Sequence, residues 1–160
     1  MSIRLAGPAD AAVLARLHGG SFDAGWSEPD FRTWLTRPGA FAVIASRAPA
    51  SREWEAVAFG LALVAGDDGE LLTIAARPDC RREGLGRSVL QELDAEAKKR
   101  GLKRWVLEVA GNNAPALGFY KSAGFVEIGV RKAYYPQQEG RVDALVLSRP
   151  VGLVSGHGGA

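Results

Sequence analysis

One cysteine, Cys80, stands in 160 residues, so no internal disulfide can form and no C-x-x-C zinc spacing exists. A lone thiol suits a reducing compartment. Histidine is nearly as scarce. His18 closes a helix candidate and His157 lies in the final residues, so neither offers Cys80 a base, and Cys80 is expected to be a structural thiol. Neither sign of charge is in excess. The net charge of +2 lacks the strongly basic balance of a nucleic-acid binder. No apolar run approaches the ~20 residues of a membrane span. The opening "MSIRLAGPADAAVL" has no basic segment followed by a long apolar region, so no signal peptide is expected. These shortages point to a cytoplasmic protein without a membrane or nucleic-acid partner. There is no internal repeat. The length suits one domain, and nearly half the residues are apolar, enough for a sizeable core. The Gly-rich ending "GLVSGHGGA" reads as flexible. The expected organisation is one domain over residues 1–149 and a tail over 150–160.

Periodicity supplies the elements. "SIRLA" reads as a strand. Pro8 opens a helix with Val13, Leu14 and Leu17 on its apolar face. Ser27 stands three residues before Asp30, the spacing of a capping box, and predicts a second helix that buries Phe31, Trp34 and Leu35. "AFAVIAS" is a strand and "RAPASRE" a turn. "WEAVAFGLALVAG" is a strand that ends in the turn "GDDG". "ELLTIAA" is nearly continuous in apolar residues, as central strands are. Leu85, Val89, Leu90, Leu93 and Ala97 recur at helical spacing, and Gly101 stops that helix. "RWVLEV" is a strand and "NAPALGFYKSA" a helix ended by Gly124. "FVEIGV" and "DALVLS" form a last antiparallel pair joined by the loop "RKAYYPQQEGR". The order β-α-α-β-β-β-α-β-α-β-β predicts a mixed α/β (α+β) domain, with helices on a mostly antiparallel sheet. "ELLTIAA", its helix and "RWVLEV" form a parallel crossover.

"RREGLGRSVL" joins a strand, a short basic loop, Gly-x-Gly and a helix. Unpaired amides at a helix start favour an anion, and glycine lets backbone approach a phosphate. The loop lacks the G-K-[ST] of a Walker A motif, and Val89 replaces the third glycine of a dinucleotide fingerprint. Alone, it reads more readily as a tight turn into a helix than as an anion site.

Read as Arg-x-x-Gly-x-Gly, Arg81 to Gly86 resembles the acetyl-CoA loop of the GNAT acetyltransferases. "LLTIAARPDCRREGLGRSVL", "WVLEV", "NNAPALGFYKSAGF" and "RKAYYPQQEGRVDALVL" follow in that family's order and spacing, nearly across the chain. "WSE", "LEV" and "YYP…GR-x-DA" are similar to the RimI-type ribosomal-protein-alanine N-acetyltransferases of the same family. The resemblance implies the GNAT fold, acetyl-CoA as co-substrate and no metal. It implies that Ile74, Ala75 and Ala76 hold the pantetheine arm through their backbone. Arg81, Arg82, Glu83, Gly84, Leu85, Gly86 and Arg87 would hold the pyrophosphate, with the glycines clearing space for it.

Seven further residues carry both a chemical and a bland reading. Glu108 in the apolar strand "RWVLEV" is a salt-bridged or strand-end carboxylate on the residues alone. The resemblance makes it the general base, acting through water. Tyr120 is a packing tyrosine on a helix face or, by resemblance, the hydroxyl that meets the leaving thiolate. Asn113 is an N-cap, a cofactor contact, or both. Trp26 with Ser27, and Tyr134 with Tyr135, are loop packing or the two walls of a peptide groove. Ala110, Gly111 and Asn112 depart from the family's arginine-containing stretch.

The expected function is direct acetyl transfer, in a ternary complex, from acetyl-CoA to a protein α-amine. The resemblance points to the N-terminal alanine of a small-subunit ribosomal protein. An α-amine titrates near about 8 and lysine near about 10.4, so deprotonating lysine costs ~3 kcal/mol more. Lysine side chains, a small-molecule amine, or a non-catalytic CoA-binding module remain the other readings.

Overall fold

The computed structural model describes residues 1–20, 25–48, 54–81, 83–137 and 140–152, with backbone alone for 133–137 and 141. In chain order these build β1 (Ser2–Leu5), α1 (Ala11–Gly19), α2 (Glu28–Thr36), β2 (Ala40–Arg47), β3 (Glu55–Ala65) and β4 (Asp68–Ala76). Then come α3 (Leu85–Lys99), β5 (Arg104–Ala110), α4 (Ala114–Ser122), β6 (Val126–Gln137) and β7 (Gly140–Pro150). The seven strands form one sheet in the order β1-β2-β3-β4-β5-β7-β6. Only β4 and β5 pair in parallel, as the crossover around α3 predicts.

Alternate residues of β2 enter two cores, as the period of a strand requires. Phe41, Val43 and Ala45 join Val89, Leu90, Leu93 and Ala97 of α3. Ala42 and Ile44 join Leu14 and Leu17 of α1 and Phe31 of α2 on the other face. Helix α2 starts as its sequence predicts. The Asp30 N–H donates to Ser27 Oγ at 3.2 Å, and the Ser27 N–H donates to Asp30 Oδ2 at 2.9 Å.

Four expected boundaries shift. Pro8 starts a separate 3-10 turn, Pro8–Asp10, and α1 follows it from Ala11. The turn "GDDG" shrinks to Gly66 and Asp67, because Asp68 and Gly69 already pair in the sheet. The expected loop from Arg131 to Arg141 is mostly strand: β6 runs to Gln137 and pairs with β7 down to Gln137 and Gly140. Its polar residues and Pro136 hid the strand pattern, but β6 is an edge strand, where a proline need not remove a ladder bond. The fold also continues past residue 149. Pro150 ends β7, and the Val151 N–H donates to the Lys103 carbonyl at 3.0 Å. Most of the expected tail, 153–160, and the turn residues 49–53 lie outside the described residues.

One buried ion pair ties these elements together. Arg149 of β7 is 1% exposed and pairs with Asp94 of α3. Its other guanidinium nitrogen donates to the Ala123 carbonyl behind α4 at 3.1 Å. Asp94 also accepts from the Trp105 indole N–H of β5 at 2.7 Å. Removing one member of such a pair leaves a buried charge without its counter-charge. Asp94→Ala should cost about 3–5 kcal/mol in urea unfolding. The double variant Asp94→Ala/Arg149→Met should recover part of that loss.

Candidate active site

The β4–β5 ladder holds only three pairs: Asp68 with Arg104, Gly69 with Trp105, and Glu70 with Val106. Beyond them β4 stays paired with β3 as far as Ala76, and β5 with β7 as far as Ala110. A bulge explains the parting. Leu61 and Ala62 of β3 face Thr73 and Leu71, which leaves Leu72 unopposed. A bulge bends its strand and increases its twist. This one falls directly after the last β4–β5 pair, so a gap opens there.

On the α3 side lies a cavity of about 650 Å³, lined by Ile74, Ala75 and Ala76 of β4, by Arg81 and Gly86, and by Asn113, Pro115, Ala116, Phe119 and Tyr120. Arg81, Gly84, Leu85, Gly86 and Arg87 line an adjoining space of about 300 Å³ with Cys80 and Phe119. The two glycines serve different ends. Gly84, the N-cap of α3, has φ +78°, a left-handed conformation that strains other residues. It brings no capping side chain to the first amides of α3. A Cβ on Gly86 would sit 3.1 Å from the Phe119 ring. Gly86 therefore admits Phe119, a reason the loop's sequence does not carry. Glu83 pairs with Arg47 at 2.7 Å, and Arg87 reaches Ser122 Oγ at 3.5 Å. Arg82 lies outside the described residues.

Tyr120 packs edge-on between Phe119 and Phe125, with ring centroids 5.3 and 5.4 Å away. Burial pushes its hydroxyl up to about 12, so it stays a neutral donor through ordinary pH. Asn113 does two things. Its side-chain oxygen accepts from the Ala116 N–H at 3.3 Å, capping α4, and the residue lines the cavity.

On the opposite face a smaller cavity, about 310 Å³, is lined by Glu70, Leu71 and Leu72 of β4, Val106, Leu107 and Glu108 of β5, and Arg131 of β6. Trp105, Leu107 and Val109 point into the α3 core, so Glu108 points the other way. It is not enclosed in apolar surroundings. Its side chain is 29% exposed and pairs with Arg131 Nε at 3.1 Å. The salt-bridge reading of Glu108 is therefore present, within a cavity where a base could act. Sequence reasoning assigned nothing to Glu70 or Arg131. Glu70 stands at the polar start of a strand pattern, and Arg131 was read as loop.

The expected peptide walls have other tasks. Ser27 caps α2. Trp26 stacks on His18 at 4.9 Å and on Trp34 at 5.9 Å. Neither lines a cavity at the gap. Tyr134 and Tyr135 lie in β6, and their side chains lie outside the described residues. His18 is buried, and its Nδ1 accepts from the Trp26 N–H at 3.0 Å. Burial lowers its proton affinity. Cys80 is fully buried, and burial pushes its thiol up, away from the reactive thiolate. His157 lies outside the described residues.

The half-buried Tyr120 can be read directly. The chain has three tyrosines. Ultraviolet titration should show a phenol ionising near about 12. Tyr120→Phe should delete that step.

Residues 12–125 match the acetyltransferase (GNAT) family. The [ribosomal protein bS18]-alanine N-acetyltransferase of Escherichia coli (strain K12) is 42% identical over 96 residues, 60% of this chain and 65% of that protein. The chain thus spans just under two thirds of that relative's length. The crystal structure of the ribosomal-protein-S18-alanine N-acetyltransferase from Escherichia coli superposes with a TM-score of 0.79 at 30% identity, over 95% of this chain and 94% of that one. Arabidopsis thaliana NAA60, crystallised with acetyl-CoA, shares the fold, with a TM-score of 0.78 at 17% identity over 94% of this chain and 98% of its own. The strand gap, the glycine loop at the start of α3 and the match over residues 12–125 together make this chain a member of the GNAT acetyltransferase family.

Proposed function

We propose that the chain transfers acetyl from acetyl-CoA to the α-amine of a protein N-terminus, in the cytoplasm. The substrate class is a ribosomal protein beginning with alanine. The observation that carries this reading is the single gap between β4 and β5. A cavity beside an anion-ready helix start opens on one face of it, and a cavity with a carboxylate opens on the other. The printed name of the Escherichia coli relative supports the substrate class.

The residues present fit acetyl-CoA. The uncapped amides at Gly84, Leu85, Gly86 and Arg87, with Arg81 beside them, suit a pyrophosphate. The edge of β4 at Ile74 to Ala76 offers backbone to an amide-bearing arm, because β5 has left it. Acetyl-CoA supplies the acetyl thioester that the amine attacks. Glu108 accepts the amine proton, directly or through water. Arg131 orients its carboxylate. Tyr120 donates a hydrogen bond to the sulfur as charge develops there. Full proton transfer from Tyr120 is disfavoured. A phenol near about 12 facing a thiol near about 8.5 leaves that transfer uphill by about 5 kcal/mol.

A peptide that begins with alanine and carries internal lysines should be acetylated once, at its α-amine. The same peptide with a blocked α-amine should not react. Mass spectrometry decides, and acetylation of the blocked peptide at a lysine at equal rate would overturn the N-terminal reading. Tyr120→Phe should lower kcat about 100-fold and leave the acetyl-CoA KM nearly unchanged. Near-normal turnover would return Tyr120 to a packing role.

A further inference from the structure

We propose that Glu70 is the docking carboxylate of the acceptor side: it draws the protonated amine into the cavity it shares with Glu108, which then takes the proton. The proposal rests on the acetyltransferase reading above and names the charge state in which the acceptor arrives.

Glu70 closes the short β4–β5 ladder opposite Val106. Val106 and Glu108 are two residues apart on one strand, so they share a face, and Glu70 shares it with them. Glu70 and Glu108 line the same cavity of about 310 Å³. The charged groups facing this space are Glu70 from β4, Glu108 from β5 and Arg131 from β6. Glu108 and Arg131 neutralise each other at 3.1 Å. Glu70 is exposed and takes part in none of the ion pairs among the described residues. Its neighbours Asp68 and Arg104 pair with each other instead, at 3.1 Å. Among the described residues lining it, the cavity therefore carries one uncompensated negative charge, on an exposed residue. A primary α-amine is largely an ammonium at neutral pH. Glu70 attracts that form, and Glu108 discharges it. The division separates capture from deprotonation, so Glu70 bears on KM and Glu108 on kcat.

The test compares wild type with Glu70→Gln and Glu70→Asp, using a peptide that begins with alanine and the same peptide N-acetylated. Glu70 is exposed, so both variants should fold. Calorimetric titration of the CoA-loaded enzyme should show the free peptide binding roughly fivefold more weakly to Glu70→Gln, with an equal rise in KM and kcat within about twofold. Glu70→Asp should recover part of the affinity. High salt should bring wild type and Glu70→Gln together. The acetylated peptide carries no ammonium and should not distinguish them. Unchanged peptide affinity in Glu70→Gln overturns the proposal, and so does a fall in kcat at constant KM. If wild type acetylates a small amine and not the peptide, the N-terminal reading fails. The same KM rise with that amine then upholds Glu70, and its absence overturns it.

Discussion

Three residue pairs hold β4 to β5, and the site depends on where that ladder stops. Had the ladder continued, Leu71 to Ala76 and Leu107 to Ala110 would have satisfied each other's backbone groups, and no ligand could enter. The bulge at Leu72 turns β4 away at the end of the third pair. Neither strand is lost to the sheet by parting. β3 holds β4 and β7 holds β5, so the opening is braced from both sides. The apex of the opening is also the most heavily tied point. Trp105 sits in the ladder and donates to Asp94, which holds Arg149, which holds the carbonyl of Ala123. The same chain of contacts fixes α4 through its end. The Phe125 N–H donates to the Tyr120 carbonyl at 3.0 Å. The placing of Tyr120 against the gap is thus linked to a buried charge pair on the far side of the core.

The glycine loop shows how two identical residues serve separate constraints. Gly84 is required by a backbone angle and leaves the first amides of α3 uncapped. Gly86 is required by a ring, because Phe119 occupies the space that a side chain would fill. Phe119 in turn packs against Tyr120. The loop and the candidate donor are therefore adjacent through one aromatic contact, and a bulkier residue at position 86 would disturb both.

What the sequence made legible follows from the range of the forces involved. The α3 stripe of Leu85, Val89, Leu90, Leu93 and Ala97 is buried as its spacing predicts. The Ser27 box is a contact between residues three apart, and it forms. Long-range facts were hidden. Asp94 and Arg149 are 55 residues apart, and nothing local marks either as a partner of the other. The hairpin of β6 and β7 was hidden because Pro136 and its polar neighbours break the strand pattern, while an edge strand tolerates both. Of the residues named for the loop and for α4, Arg81, Gly84, Leu85, Gly86, Arg87, Asn113 and Tyr120 line the two adjoining cavities, while Glu83 pairs with Arg47 instead. Trp26 does not join them, because its ring is stacked against His18 and Trp34. Glu70 escaped notice because its importance comes from where a ladder ends, which no single strand reveals.

The two faces of the gap surround their side chains with different neighbours, and that difference suits opposite tasks. Tyr120 lies where burial alone raises it to about 12, so the phenol keeps its proton against any ordinary base. A group so placed gives a hydrogen bond without giving up the proton, and its dipole is strongest in dry surroundings. Glu108 lies where solvent reaches it and Arg131 holds it. A partly solvated carboxylate can pass an accepted proton on to water, which a sealed one could not. Exchanging the two neighbourhoods would take the tyrosine from its flanking rings and the glutamate from its arginine. The order in which the chain threads its sheet keeps them apart: β5 brings Glu108 to one face, and the turn after it sends α4 and Tyr120 to the other.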